Sequence, residues 1–102
     1  MARYDMGAAI GMADAPPTAD TLFDLGMMYA CGRAVPHDLV AAHMWFNIAA
    51  MLGHADAARL RREVAAEMSD ADIGRAQRAA RDWLKAHPVL AANPQPQRRA
   101  AA

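Results

Sequence analysis

The sequence predicts an all-α fold of four helices in which successive helices are antiparallel neighbours. Apolar residues recur at three- and four-residue steps in four segments, which is typical of helices that bury one face. No segment shows the two-residue alternation of a strand, and glycine, proline and helix-capping residues separate the four segments. Because the turns between the segments are short, consecutive helices have to lie side by side and antiparallel.

The first predicted helix carries a glycine in its middle. It begins at Thr18 or Asp20, either of which can cap it, and it ends at Gly32, which favours the left-handed conformation of a helix end. Its apolar face consists of Leu22, Leu25, Met28 and Tyr29. Gly26 costs about 1 kcal/mol relative to alanine inside a helix. We therefore expect Gly26 to serve a close contact between two helices.

The second predicted helix supplies the other side of that contact. Asp38 is its N-cap, it runs to about Leu52, and Gly53 ends it. Its inward residues are Ala42, Trp45, Phe46, Ala49 and Ala50. We predict that Gly26 lies against the alanines of this helix, with Tyr29 and Trp45 at the flanks of the contact.

The last two predicted helices follow after short turns. The third runs from about Asp56 to Met68, with Ala57, Leu60, Val64 and Ala65 on its inward side. The fourth opens at Ser69, in a sequence similar to a capping box, and ends near Ala86. Its buried stripe consists of Ile73, Ala76, Ala80, Trp83 and Leu84.

The four helices define a folded domain at residues 18–86 with a segment on each side. Residues 1–17 are predicted to form an N-terminal arm that is either a short helix or disordered. Residues 87–102, which contain three prolines and end in two arginines and three alanines, are predicted to be a disordered tail.

Composition and charge argue against several function classes. Eleven basic and eleven acidic residues give a net charge of zero, unlike a nucleic-acid binder that neutralises many phosphates. The charge is uneven, with six Asp and two Arg (−4) in residues 1–58 and nine basic and five acidic residues (+4) in residues 59–102. No apolar stretch approaches the ~20 residues that span a bilayer. Cys31 is the only cysteine, so no intrachain disulfide forms, and we predict a cytoplasmic protein rather than a secreted one.

A further pattern covers residues 21–58. It consists of Leu25, Gly26, Tyr29, Gly32, Val35, Asp38, Ala42, Trp45, Ala49, Ala50 and Gly53. At matching spacing, these residues resemble the Sel1-like repeat, a helix-turn-helix relative of the tetratricopeptide repeat. The resemblance implies antiparallel helix pairs that stack as part of an α-solenoid. It also implies a role in assembling protein complexes, without an active site or a cofactor.

Two departures bear on how far the resemblance extends. Ala34 stands where the family usually has a second glycine before the valine, and Arg61 and Arg62 stand where the next unit would have its Leu-Gly pair. We therefore predict one full unit at about residues 21–55 and a degenerate capping pair at about residues 56–86. Helical stacks usually need about three repeats. The N-terminal segment, a second copy or a client protein is expected to cover the open face, and we favour a homodimer.

The function predicted from these patterns is a non-enzymatic protein-protein interaction scaffold whose partner is not identified. Asp24, Met27 and Ala30 lie on the outward or concave side of the first helix and are the predicted partner-binding residues. The alternative is a regulatory nucleic-acid or anion binder that uses the basic edge of the fourth helix, Arg75, Arg78, Arg81 and Lys85. The second helix has no lysine or arginine with which to read a DNA groove.

No metal, cofactor or catalytic site is predicted. His37 and His43 are six residues apart, whereas a helical zinc motif has two histidines four apart. His54 lies beyond the far end of the second helix. Cys31 and His43 are residue types that make a nucleophile and a base, but no sequence feature brings them together. We predict instead that Cys31 is a small packed residue.

Overall fold

The computed structural model describes residues 16–88 and residue 90. It contains four α-helices, α1 (Ala19–Cys31), α2 (Leu39–Met51), α3 (Ala57–Ala65) and α4 (Asp70–Lys85). The predicted all-α class is confirmed, and no strand occurs within these described residues. Most of the predicted arm and tail, at residues 1–15, 89 and 91–102, lies outside the described part of the chain.

Side-chain caps begin three of the four helices. Thr18, Asp38 and Ser69 each accept a hydrogen bond from the backbone N–H three residues later, at 3.1, 3.0 and 3.1 Å. Each bond satisfies an N–H that has no partner inside its helix. The cap of α1 is therefore Thr18, and not Asp20. α3 has no side-chain cap, and it ends three residues before the predicted end at Met68.

Backbone hydrogen bonds tie the loop between α1 and α2 to the end of α1. Gly32 takes the predicted left-handed conformation, with φ 68° and ψ 30°. The Arg33 N–H donates to the Met28 carbonyl at 2.9 Å. This is the 6→1 hydrogen bond of a Schellman motif, the one that spans more residues. Ala34 also has a positive φ, 70°, at the position where the resemblance would place glycine. The predicted stop after α2, Gly53, has a φ of 100°.

α2 is the central helix of the described chain. Its sequence contains no Asp, Glu, Lys or Arg, and a helix that is apolar on all sides is stable only when it is buried. α1, α3 and α4 each pack against α2, and α3 and α4 approach one another less extensively than either approaches α2. The predicted inward residues Ala42, Trp45, Phe46 and Ala49 are buried, as are His43, Met44, Ile48 and Leu52.

Gly26 lies buried where α1 packs against α2. A Cβ at this position would be 2.6 Å from the Cδ1 and Cε1 atoms of Phe46, whose side chain is 1% exposed. The predicted close contact is therefore present, but the prediction that alanines face Gly26 is wrong. The missing side chain makes room for an aromatic ring, which is larger than an alanine methyl group.

Trp45 joins α2 to α4. Its ring packs edge-on against Trp83, with centroids 5.4 Å apart and an interplanar angle of 79°. Trp45 also belongs to the core cluster that contains Leu22 and Leu25 of α1. His87 stacks on Trp83 with centroids 3.8 Å apart, and Leu90 packs against the same core. The first described residues of the predicted tail thus continue the packing of α4.

Candidate protein-binding groove

A groove with a volume of about 200 Å³ opens between α1 and α3. α1 contributes Met27 and Ala30, the following loop contributes His37, and α2 contributes Leu39 and Phe46. The other wall consists of Leu60, Glu63, Val64 and Glu67, which belong to α3 and the turn after it. Residues from three helices thus converge on one concave surface.

Helical spacing explains why these side chains meet. Met27 and Ala30 are three residues apart on α1, and Leu60 and Val64 are four apart on α3, so each pair lies on one side of its helix. Phe46 and Val64 are 1% and 8% exposed and form the base of the groove. The other apolar side chains are half-buried against these two, so apolar residues make up most of the groove lining.

Two of the three predicted partner-binding residues lie at this groove. Met27 and Ala30 line it, whereas Asp24 is exposed on α1 and is not among its lining residues. None of the eleven repeat-defining positions of the resemblance is among the lining residues of the groove. The groove is therefore bordered by positions that the repeat pattern leaves variable.

The charged side chains that line the groove are both acidic. Glu63 forms an ion pair with Arg59 on the same helix, with Nη1 and Oε2 3.3 Å apart. Glu67 is exposed and takes part in no ion pair within the described part of the chain. The edge of the groove formed by α3 and its following turn therefore carries negative charge.

His43 is a buried polar residue of α2 that lies outside this groove lining. Its side chain is 3% exposed, and its Nδ1 atom has no hydrogen-bond partner in the described structure. Burial, together with the positive charge of Arg61, lowers the pKa of His43 below its ordinary value of 6.5. Arg61 itself donates a hydrogen bond to Asn47 Oδ1 at 2.7 Å. Burial therefore favours the neutral form of His43 in the folded protein.

His54 connects α1 to the turn before α3. Its ring stacks on Phe23 with centroids 3.9 Å apart, and its Nδ1 atom accepts a hydrogen bond from the Asp56 N–H at 3.1 Å. Its Nε2 atom lies 3.5 Å from an Asp20 carboxylate oxygen. These contacts give His54 a structural role in the packing.

The described residues that could act as a nucleophile or as metal ligands do not come together in a catalytic or metal site. Cys31 is exposed at the end of α1, which corrects the prediction of a packed cysteine. Among residues 16–88 and residue 90, no group of three or more His, Cys, Asp or Glu side chains is placed to hold a metal ion. The same part of the chain has no helix that combines the length and apolarity required to cross a membrane.

The sequence patterns identified the groove only in part. Leu60 and Val64 are predicted as inward residues of the third helix, but their convergence with α1 is not predicted. The four-residue step between Leu60 and Val64 indicates that these two residues share one side of α3. Which helix that side faces depends on packing against α2, and spacing along one helix does not contain this information.

Comparisons of the chain with protein-family models, with curated proteins and with solved structures give no match. The resemblance to the Sel1-like repeat therefore remains a hypothesis based on the spacing of its residues.

Proposed function

We propose that this protein is a non-enzymatic protein-protein interaction scaffold built from stacked Sel1-like helix pairs, with a partner bound in the groove between α1 and α3. One observation carries the proposal. α1 and α3, the first helices of the two predicted units, border the same apolar groove. In stacked helical repeats, equivalent helices of successive units form one concave binding surface. The positions of α1 and α3 support such a stack.

The size of the groove favours a protein partner over a small molecule. Pockets for drug-sized ligands and cofactors have volumes of about 300–1,000 Å³. The groove is smaller, about 200 Å³, and it is partly open to solvent. A space of this size and apolarity suits a side chain of a partner, while the rest of the partner lies along α1 and α3.

The alternative, a nucleic-acid or anion binder, has weaker support from the arginines of the C-terminal half. Arg59 pairs with Asp56 and Glu63, and Arg75 pairs with Asp72 at 3.1 Å. Since carboxylates of the same chain partly offset these charges, fewer cations remain to neutralise phosphates.

Peptide selection tests the proposed scaffold function. A random-peptide library is selected on the full chain, and the selected peptides are measured against Ala30→Trp, which places a large side chain in the groove. Ala86→Trp is the matched control, because Ala86 is exposed directly after α4 and is not among the lining residues of the groove. We expect Ala30→Trp to weaken binding at least about tenfold, which corresponds to about 1.4 kcal/mol, and Ala86→Trp to leave it unchanged.

Circular dichroism establishes whether each variant folds. If Ala30→Trp does not fold, Met27→Ala removes apolar contact area from the same wall without adding volume, and it should weaken binding in the same direction. Selected peptides that bind both groove variants as tightly as the wild type would overturn the proposal, as would a selection that yields no specific peptide.

A further inference from the structure

We infer that the groove between α1 and α3 takes a peptide segment in which an apolar side chain lies next to a lysine or arginine. This inference rests on the proposed function and adds the chemistry of the partner to it. The apolar side chain fills the groove, and the basic group lies at the acidic edge.

The apolar part of this ligand follows from the base and walls of the groove. Phe46 and Val64 form a buried base, and Met27, Leu39 and Leu60 surround it with further apolar surface. Filling this space with a leucine-sized side chain removes apolar surface of both partners from water, at about 25 cal/mol per Å². A polar side chain would lose its hydration there and find few hydrogen-bond partners.

The basic part follows from the charges at the edge. Glu63 and Glu67 are the charged lining residues, and no lysine or arginine within residues 16–88 lines the groove. Arg59 offsets the charge of Glu63, but within the described chain no cation pairs with Glu67. A lysine or arginine of the partner can approach Glu67 without displacing an existing ion pair. An acidic partner would instead meet the Glu67 carboxylate, which is unpaired among the described residues, and be repelled by it.

Three synthetic peptides test this chemistry, each with a fluorescent label and measured with the full chain by fluorescence anisotropy. Ser-Gly-Leu-Lys-Lys-Leu-Gly-Ser carries the basic residues, and its two analogues carry Gln-Gln or Glu-Glu at the central positions. We expect the Lys peptide to bind roughly three- to tenfold more tightly than the Gln peptide, and the Glu peptide to bind most weakly. The preference for lysine should decrease as salt rises, because exposed charges are screened.

Variants in which a neutral side chain replaces a carboxylate test whether the acidic edge causes the preference for the Lys peptide. Glu67→Gln should reduce the affinity for the Lys peptide roughly two- to fivefold and leave the Gln peptide unaffected. Asp82→Asn is the matched control, since Asp82 is an exposed acid of α4 outside the groove lining. It should change neither affinity.

The alternative outcomes are distinct from failure of the proposed function. Equal affinity for the three peptides, no binding of the Lys peptide, or an equal effect of Asp82→Asn would overturn the inference. The scaffold proposal would still stand if library-selected peptides lose affinity for Ala30→Trp. Concentration-dependent self-association that Ala30→Trp abolishes would show a second copy in the groove, and this also overturns the inference.

Discussion

The contact between Gly26 and Phe46 determines how closely α1 approaches α2. Any side chain at position 26 would meet ring carbons at 2.6 Å, which is shorter than a van der Waals contact. Phe46 is buried on its other sides, so its ring has little space into which it can move. The cost of glycine in a helix is offset by packing between the two helices.

Gly26→Leu should lower the free energy of unfolding. Overpacking a core typically costs about 1–3 kcal/mol, and the gain in helix propensity of about 1 kcal/mol offsets only part of the cost for so large a side chain. We expect a net loss of up to about 2 kcal/mol, measured by urea unfolding. Asp24→Ala, at an exposed position of the same helix, should change stability by less than about 0.5 kcal/mol. Similar losses for both variants would contradict the packing described.

His43 makes the stability of the fold depend on pH. Because burial and then Arg61 lower the pKa of His43 in the folded state, the unfolded chain binds a proton on this side chain more readily. The neutral form of His43 contributes its full stability above pH 6.5, the ordinary pKa of histidine in an unfolded chain. This contribution declines as the pH falls below that value. The decline continues until the pH passes the lowered pKa of the folded state.

His43→Leu should flatten this dependence. Urea-unfolding midpoints measured from about pH 7.5 to about pH 5 should decrease more steeply for the wild type than for the variant, because the variant lacks the proton uptake. Loss of an unpaired buried Nδ1 should also leave stability at neutral pH nearly unchanged or raise it. His37→Asn, at an exposed position, is the control and should retain the wild-type slope. If the unfolding midpoints of His43→Leu and the wild type changed equally with pH, His43 would not be the source of the pH dependence.

Helix boundaries depend on short-range chemistry, and for this reason the sequence predicts them well. Asp38 and Ser69 cap helices through the N–H three residues later, and Gly32 adopts the left-handed conformation within its own loop. Each interaction involves residues that are neighbours in the sequence. The rotation of one helix against another depends on contacts between distant residues. The sequence therefore indicates that Gly26 serves a close contact but does not identify Phe46 as its neighbour.

The loop between α1 and α2 contains a residue in a strained conformation. Ala34 has a φ of 70°, in a region that costs an L-residue other than glycine about 1–2 kcal/mol. The loop is nevertheless held in place, because the Asp38 N–H donates to the Tyr29 carbonyl at 3.1 Å and so returns the chain to α1. The loop thus has little freedom to relieve the strain.

Ala34→Gly should therefore stabilise the protein. Relief of the left-handed strain exceeds the additional entropy that glycine gives the unfolded chain, so we expect a net gain of about 0.5–1 kcal/mol. Urea unfolding measures this gain. Ala71→Gly, at an exposed position within α4, should lower stability by about 0.5–1 kcal/mol, as glycine usually does in a helix. A loss of stability for both substitutions would show that the strain at Ala34 is negligible.

α1, α2 and α3 together form a groove that none of them forms alone. α2 carries α1 on one side and α3 on another, and the space left between α1 and α3 is the candidate binding site. A change that moves either helix relative to α2 should alter partner binding without touching the partner. Gly26→Leu is such a change, because it separates α1 from Phe46, a residue at the base of the groove.

The homodimer remains a prediction from the small number of repeats. Light scattering of the full chain would give about twice its mass of 11.0 kDa for a dimer. The groove variant Ala30→Trp should retain that mass, since the groove is proposed to bind a different protein.

Nuclear magnetic resonance of the full chain most directly tests whether the groove between α1 and α3 binds a partner. Amide shifts are recorded while a library-selected peptide is added. We predict that the largest changes lie at groove residues of α1 and α3, such as Met27, Ala30, Leu60 and Val64, and that they disappear in Ala30→Trp. Changes centred on the basic edge of α4, at Arg75, Arg78 and Arg81, with none at the groove, would contradict the proposed scaffold function.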